Sequence, residues 1–137
     1  HASHLVWSPD GTQLAFALTA DPLNFNRYAV WIVDRAGKTA QRISPEGERG
    51  YFAPVWIGDK RLGALSPNPQ GGFDVVSWSL DTKREAQHGV IESADCDWSP
   101  DRTKIVYTTP HPTQAGSNLR LFTLKFGNSP YALRASP

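Results

Sequence analysis

The sequence predicts an all-β fold built from repeated four-stranded antiparallel sheets, and two observations support this. The motif Trp7-Ser8-Pro9-Asp10-Gly11 returns as Trp98-Ser99-Pro100-Asp101-Arg102, with a degraded copy between them at residues 55–60. The apolar runs after each tryptophan are short, rich in β-branched and aromatic residues, and bounded by turn residues, which is typical of strands. No helix-length window keeps a helical apolar period, so the prediction contains almost no helix.

The spacing of the tryptophans indicates the architecture. Trp56 follows Trp7 by 49 residues and precedes Trp98 by 42 residues. Four antiparallel strands repeated at this interval describe the blades of a β-propeller. We therefore predict three four-stranded blades of a partial propeller, at approximately residues 1–48, 49–92 and 93–137.

Each predicted blade contains four strands, which follow the apolar runs in chain order. The second strands are the clearest, because Leu14–Leu18, Leu62–Leu65 and Ile105–Tyr107 begin six or seven residues after their tryptophan. The predicted strands are 4–7, 12–19, 27–34 and 39–44 in the first blade, 52–57, 60–66, 73–80 and 85–91 in the second, and 94–98, 103–109, 118–125 and 130–134 in the third.

The residues after each tryptophan favour a tight turn. Proline fixes φ at the first central position of a turn, and aspartate stabilises the turn by accepting bonds from nearby backbone. Gly11 can adopt a positive φ, whereas Arg102 in the third copy must either bear more strain or use a different turn. The turn residues interpreted as structural are Pro9, Asp10, Gly11, Pro100 and Asp101.

The tryptophans themselves are suited to fill the wedge between adjacent blades, because the indole is large and rigid. We interpret Trp7, Trp56 and Trp98 as structural residues rather than as stacking platforms for a ligand.

This pattern resembles the TolB-like, PD40 (WD40-like) β-propeller repeat, whose hallmark Trp-Ser-Pro-Asp-Gly before an apolar strand is present at residues 7–11. The resemblance covers the whole chain as three copies, close in the first, good in the third and weak in the second. It implies a fold but no particular reaction. Related propellers serve a periplasmic protein-interaction system of the bacterial envelope, form the non-catalytic domain of prolyl-oligopeptidase-like peptidases, or act as sensors and scaffolds. The resemblance therefore implies a periplasmic or otherwise extracytoplasmic location.

Charge and composition exclude several classes of partner. Fourteen Lys and Arg against thirteen Asp and Glu leave a net charge of +1, so no nucleic-acid partner is predicted. No apolar stretch approaches the roughly 18 residues of a membrane-spanning helix, so no membrane insertion is predicted. The single cysteine, Cys96, excludes an internal disulfide framework and a cysteine-based zinc cluster.

The sequence carries none of the common catalytic motifs searched for. It has no G-x-S-x-G nucleophile elbow, no H-E-x-x-H zinc motif, no phosphate-binding loop and no EF-hand loop. His4, His88 and His111 lie in different repeats, and we do not expect them to converge on a metal. We predict no catalytic residue, no metal and no cofactor in this chain.

Two carboxylates flank the cysteine in the third repeat. Strand alternation puts Asp95 and Asp97 on one face and Cys96 on the other, where it packs as a small hydrophobe. We expect both aspartates to face the central channel, either as a solvated wall or as a site for a cation or a partner's amine.

The loops on one rim are the candidate binding surface. In a propeller, the loops between the second and third strands and those between blades open on the same rim. An aromatic residue among amides and an arginine suits peptide or protein recognition, although such loops are also tolerated insertions. Glu46, Glu48 and Arg49 are interpreted as ordinary loop charges. The candidate partner-binding residues are Asn24, Phe25, Asn26, Arg27, Tyr51, His111, Gln114 and Asn118.

Three blades cannot close a ring, since propellers have about four to eight. An open arc leaves two apolar blade faces in water, which indicates that something covers them. Either the chain is a piece of a longer propeller, or two copies form a six-bladed homodimer in which the first blade of each packs on the third blade of the other.

The function favoured at this point is a non-enzymatic protein- or peptide-binding module. The alternative is the propeller domain of a prolyl-oligopeptidase-like peptidase whose catalytic domain lies outside this chain. A third alternative, a carbohydrate- or metal-dependent lyase on a similar scaffold, requires histidines and carboxylates that converge in the channel.

Overall fold

The structure, a computed structural model, describes residues 2–110 and 117–124, and these form three antiparallel sheets. Strands pair in chain order within each sheet. The first sheet consists of β1 (Ala2–Trp7), β2 (Gln13–Leu18), β3 (Ala29–Asp34) and β4 (Ala40–Arg42). The second consists of β5 (Phe52–Trp56), β6 (Arg61–Pro67), β7 (Phe73–Ser79) and β8 (Glu85–Ile91). The third contains β9 (Cys96–Trp98), β10 (Lys104–Pro110) and β11 (Ser117–Thr123).

These sheets confirm the predicted all-β architecture, and the chain is a partial β-propeller. The fourth strand predicted for the third blade, at 130–134, lies outside the described residues. A single 3-10 turn at Phe25–Arg27 precedes β3, which therefore begins two residues later than predicted.

Several strands are one to three residues shorter than predicted, and at the end of β4 and the start of β9 side-chain hydrogen bonds accompany the change. After β4, the amides of Ile43 and Ser44 both donate to the Val30 carbonyl oxygen, at 2.9 and 3.3 Å, and the Ser44 hydroxyl accepts from the Val30 amide. Before β9, the Asp95 amide donates to the Ser93 hydroxyl at 3.0 Å. Both contacts lie where regular strand pairing ends, next to a last backbone bond to the neighbouring strand, Ile43 to Val30 and Thr108 to Asp95.

The second and third blades each pack on the preceding blade through their repeat tryptophan. Trp56 is 2% exposed, and its indole N–H donates to the Val6 carbonyl oxygen of the first blade at 3.0 Å. Trp98 faces the second blade, where a Cβ built on Gly63 would lie 3.4 Å from its ring. The absence of a side chain at Gly63 leaves space for that ring.

Two apolar cores result, one on either side of the second blade. The core between the first and second blades includes Val30, Ile32, Trp56 and Leu62. The other core lies mainly between the second and third blades, extends to Ala17 and Tyr28 of the first blade, and has Trp98 packed against it. Its remaining members are Phe52, Ile57, Leu65, Val75, Ile91, Ile105, Tyr107 and Leu124.

Trp7 corrects the expectation that every repeat tryptophan fills a wedge within this chain. It is 54% exposed, because the face it occupies points away from the second blade. Leu18 shares that face and is exposed too, since it alternates with the buried Ala17 along β2. At the other end of the array, the third blade exposes Val106 and its cross-strand partner Leu121.

The turns after Trp7 and Trp98 are built by the same network of hydrogen bonds. The Asp10 carboxylate accepts from the hydroxyls of Ser8 and Thr12, both at 2.7 Å, and from the Thr12 amide at 3.1 Å. Ser99, Asp101 and Thr103 repeat this arrangement, and these bonds, the one from Ser99 foremost, lower the pKa of Asp101 to about 2. The motif is thus Ser-Pro-Asp-x-Thr, and the threonine joins the serine and the aspartate as the third residue of the hydrogen-bond network.

Arg102 uses the same turn as Gly11 rather than a different one. Its φ is +63°, close to the +71° of Gly11, a conformation that costs an L residue about 1–2 kcal/mol. Its guanidinium Nε donates to the Trp56 carbonyl oxygen at 3.1 Å. The side chain thereby ties the third blade to the second, which offsets the strain.

The two tryptophans provide a matched pair for testing the wedge packing. Trp56→Ala should lower the free energy of unfolding by about 3–5 kcal/mol, because it empties a buried site. Trp7→Ala, in the same repeat position on an open face, should cost about 1 kcal/mol or less. Urea unfolding of both variants at a concentration where the chain is monomeric measures the difference. Equal losses would contradict the assignment of Trp7 to an open face.

Candidate functional site

Three connections meet on one rim of the first two blades. They are the β2–β3 loop (residues 19–28), the linker from β4 to β5 (43–51) and the β6–β7 hairpin loop (68–72). Because strands alternate in direction within each sheet, these connections emerge at the same end of the sheets. The turns that contain the Ser-Pro-Asp motif emerge at the opposite end.

The three connections enclose two adjoining pockets of about 410 and 300 Å³. The pockets share Asn26, Glu48 and Arg49, so we describe them together as the rim groove. The larger pocket is also lined by Asn24, Arg27, Tyr28, Ala29, Arg42 and Gly47, and the smaller by Pro67, Asn68 and Pro69.

The β2–β3 loop is held in place by its own asparagines. The Asn24 side-chain oxygen accepts from the Asn26 amide at 3.0 Å, which caps the 3-10 turn. The Asn26 side-chain oxygen accepts from the Gly50 amide at 3.3 Å, while the Gly50 carbonyl accepts from the buried Ser66 hydroxyl at 2.7 Å. The loop of the first blade is therefore fixed, through Gly50, to the second blade.

A buried carboxylate anchors the floor of the groove. Asp74 is 3% exposed and pairs with the Arg49 guanidinium. Its other oxygen accepts from the side-chain amides of Asn68 and Gln87, both at 2.8 Å. These three donors satisfy a charge that would be costly to bury alone, and they fix Arg49 against the wall of the groove.

Phe25 and Arg27 lie in the same loop but line different pockets. Arg27 is exposed on the rim groove. Phe25 turns toward the inner strands, where its ring stacks on Phe52 at 4.4 Å and meets the edge of Phe73 at 5.5 Å. It remains 43% exposed, so it supports the loop and still presents an aromatic surface.

The expectation that Tyr51 offers an exposed ring on the rim is wrong. Tyr51 is 4% exposed, and its ring packs edge-on against Trp78 at 5.2 Å. Its amide donates to the Tyr28 carbonyl at 2.9 Å, and burial raises the pKa of its hydroxyl. Tyr51 belongs to the core between the first two blades.

The third blade's contribution to the rim lies mostly outside the described residues, which exclude His111 and Gln114. The backbone of Asn118 belongs to β11 and pairs with Thr109, which places it within a hairpin strand rather than in the loop. These three residues therefore stay predictions as partner contacts.

A separate pocket of about 570 Å³ lies between the inner strands β1, β5 and β9. Asp95 and Asp97 both line it, as does His4. The Asp95 carboxylate accepts from the Thr108 hydroxyl at 3.0 Å. Among residues 2–110 and 117–124, no group of three or more potential metal-binding side chains comes together.

Cys96 packs partly buried against the core between the second and third blades, although its residue also lines this inner pocket. Burial, with a smaller effect of the neighbouring Asp95 and Asp97 charges, raises the pKa of its thiol to about 11. The thiol is therefore protonated near neutral pH and is a poor nucleophile.

The sequence prediction does not place the lining residues Arg42 and Arg49 in the groove, nor does it identify Asp74 as the residue that pairs with Arg49. Arg49 was assigned to ordinary loop charges, yet it pairs with the buried Asp74. Asp74 stands within the apolar run Phe73–Trp78, where a charge requires a partner. The position of Asp74 in an apolar run therefore indicates that a cationic side chain pairs with it, but it does not identify that side chain.

Solved structures with the same architecture include both TolB and peptidases. TolB from Acinetobacter baumannii matches 82% of this chain with a TM-score of 0.60 at 15% identity, over 28% of its own length. A puromycin-hydrolyzing peptidase from Mycobacterium tuberculosis matches 89% with a TM-score of 0.68 at 14% identity, over 20% of its length. The β-propeller domain of the Trilobed protease from Pyrococcus furiosus matches 92% with a TM-score of 0.61 at 16% identity, over 41% of its length. The chain has a TolB-like propeller fold.

At these identities the likeness concerns the fold, and this chain covers between 20 and 41% of the length of the three structures. No protein-family model matches the sequence, and no curated protein matches it. Within the part of the chain that the structure describes, no helix has the length and apolar character needed to cross a membrane.

Replacing Gly50 with alanine tests how the rim is assembled. A Cβ at this position would lie 1.9 Å from the Phe25 carbonyl oxygen and 2.5 Å from the Asn26 Cα, both of them backbone atoms. We expect Gly50→Ala to displace the β2–β3 loop and to lower the free energy of unfolding by about 3 kcal/mol.

The control is Gly37→Ala, in the β3–β4 turn on the opposite rim. Gly37 has a φ of +73° with open space around it, so its replacement should cost about 1 kcal/mol from backbone strain alone. Denaturant unfolding compares the two variants. Equal losses would show that Gly50 is not a close contact between the loop and the linker.

Proposed function

We propose that this chain is a non-enzymatic protein- or peptide-binding module that captures its partner on the rim groove. The observation that carries the proposal is the convergence of three connections on one groove, where the Arg27 side chain is exposed and donates no hydrogen bond to any of the described residues. Binding residues placed on loops and held by a rigid sheet scaffold are a common arrangement for recognition.

The polar groups around Arg27 suit an extended peptide. The side-chain oxygens of Asn24 and Asn26 are used within the protein, as acceptors for the amides of Asn26 and Gly50. Their side-chain NH₂ groups remain as donors on exposed residues, and a peptide backbone supplies carbonyl acceptors for them. Phe25 belongs to the same loop but faces the inner strands, where its half-exposed ring lines the separate inner pocket and supports the loop from behind.

The resemblance to TolB supports an interaction module in an extracytoplasmic, periplasmic setting. The similarity to a puromycin-hydrolyzing peptidase and to the Trilobed protease propeller supports the second candidate, a non-catalytic propeller domain of a peptidase. The gene that encodes the chain distinguishes them. A serine nucleophile elbow downstream would favour the peptidase domain, whereas a signal peptide without a catalytic domain would favour the module.

Selection from a random peptide display library tests the rim groove directly. We expect the wild-type chain to enrich a set of related peptides, and Arg27→Ala to weaken their binding by about tenfold without changing the melting temperature. The matched control is Arg35→Ala, an exposed arginine in the β3–β4 turn on the opposite rim. No enrichment, or equal loss in both variants, would contradict the proposal.

We also propose that two copies of the chain associate end to end. The Trp7 face of the first blade corresponds to the faces of the second and third blades that carry Trp56 and Trp98. Those two faces pack on the preceding blade, each through its tryptophan. The exposed face of the third blade, with Val106 and Leu121, is the corresponding apolar surface at the other end. Joining each first blade to the other copy's third blade would cover both faces and give six blades.

Light scattering at micromolar concentration tests this association. We expect a particle of twice the 15.1 kDa chain mass, and dissociation when Leu121, which is 61% exposed, is changed to aspartate. Val90→Asp, on the outer strand β8, is the control, because Val90 is exposed away from both end faces. A soluble wild-type monomer at all concentrations would overturn the dimer.

A further inference from the structure

The rim groove carries an unequal charge. Its larger pocket is lined by three arginines, Arg27, Arg42 and Arg49, and by a single carboxylate, Glu48. The chain as a whole is nearly neutral, with a net charge of +1. The positive charge is therefore a local property of this groove, and each guanidinium must be assessed by what already neutralises it.

Arg49 is neutralised within the protein. Its guanidinium pairs with the buried Asp74, and it lies 5.5 Å from the centre of the Tyr51 ring. This side chain is held in one geometry, so it shapes the wall of the groove and is not a free charge for a ligand.

Arg42 is fixed but not neutralised. Its Nε donates to the Ser44 carbonyl oxygen at 2.9 Å, and one terminal nitrogen donates to the Pro45 carbonyl oxygen at 3.0 Å. Carbonyl oxygens orient a guanidinium without cancelling its charge. Arg42 therefore holds a positive charge at a defined place in the wall of the larger pocket.

Arg27 is the guanidinium with the most free donors. It is exposed, it lines the same pocket, and none of the described residues accepts a hydrogen bond from its side chain. The loop that carries it is fixed by the Asn24 cap and by the bond from the Gly50 amide to Asn26. A guanidinium with unused N–H donors on a fixed loop is suited to bind a planar anion with two oxygens, such as a carboxylate, through two parallel hydrogen bonds.

We propose that the rim groove binds a carboxylate of its peptide partner, with Arg27 as the direct donor and Arg42 as a second, fixed positive charge. This inference rests on the proposed peptide-binding function and names the chemistry that the groove selects. The carboxylate belongs either to an acidic side chain or to the free end of a chain. Because Arg49 is already paired with Asp74, the remaining charges of the larger pocket, Arg27, Arg42 and Glu48, leave a formal charge of +1, which matches a singly charged carboxylate.

Affinity selection from four peptide mixtures tests the proposal and separates the two sources. All peptides are ten residues long, have acetylated N-termini and are random in sequence apart from the residues that define each mixture. One mixture contains Asp and Glu with an amidated C-terminus, and one contains Asn and Gln in their place with the same amidation. The third contains Asn and Gln with a free C-terminal carboxylate, and the fourth contains Lys with amidation. Bound peptides are identified by mass spectrometry.

We expect the wild-type chain to retain peptides from the first or third mixture about tenfold more than from the second. Retention from the first identifies an acidic side chain, and retention from the third identifies a chain terminus. Arg27→Glu should abolish this preference and raise retention of the lysine mixture, while Arg35→Glu on the opposite rim should leave it unchanged. Raising NaCl from 50 to 500 mM should weaken the binding of the retained peptides, because salt screens a solvent-accessible contact between a guanidinium and a carboxylate.

The outcomes distinguish this inference from the proposed function. Equal retention of the first, second and third mixtures, with binding still lost in Arg27→Ala, overturns the carboxylate and leaves peptide binding in place. Absence of retention from every mixture overturns both. Acid preference that survives Arg27→Glu also overturns the inference, since it locates the positive charge elsewhere.

Discussion

The packing of one indole on the preceding blade is the interaction on which the rest of this structure depends. Burial of about 200 Å² of aromatic surface contributes roughly 5 kcal/mol before entropic losses are counted. At Trp56 the contact also pairs the indole N–H with the Val6 carbonyl, so the ring is fixed in both position and orientation. The same contact determines which faces remain open, because Trp56 and Trp98 each point toward the preceding blade and Trp7, in the first blade, has none to contact.

The rim groove is a consequence of this stacking. Once the first two blades are packed, their β2–β3 loop, linker and β6–β7 loop lie side by side, and two further contacts fix the geometry. Gly50 lets the linker approach the Phe25 carbonyl, and Asp74 holds Arg49 and Asn68 from within the second blade. The groove thus joins residues that are distant in sequence, and its charge depends on which arginines already have an internal partner.

Much of the fold could be predicted from the sequence, because the repeat places turn residues and apolar runs at regular intervals. The turn network followed from the same motif, although the role of Thr12 and Thr103 did not. The site was harder to predict. Tyr51 and Phe25 are both aromatic residues near a loop, and only the packing of the blades buries one and leaves the other half exposed. Pairing of Arg49 with Asp74 spans 25 residues, which no local pattern specifies.

Hydrogen exchange of the indole N–H groups tests the stacking of blades most directly. In ¹⁵N-labelled protein held at a monomeric concentration, the Trp56 indole proton should exchange only through unfolding, since it is buried and bonded to Val6. The Trp7 indole proton should exchange at close to the rate of a free indole. Comparable exchange rates for the two protons would contradict the account.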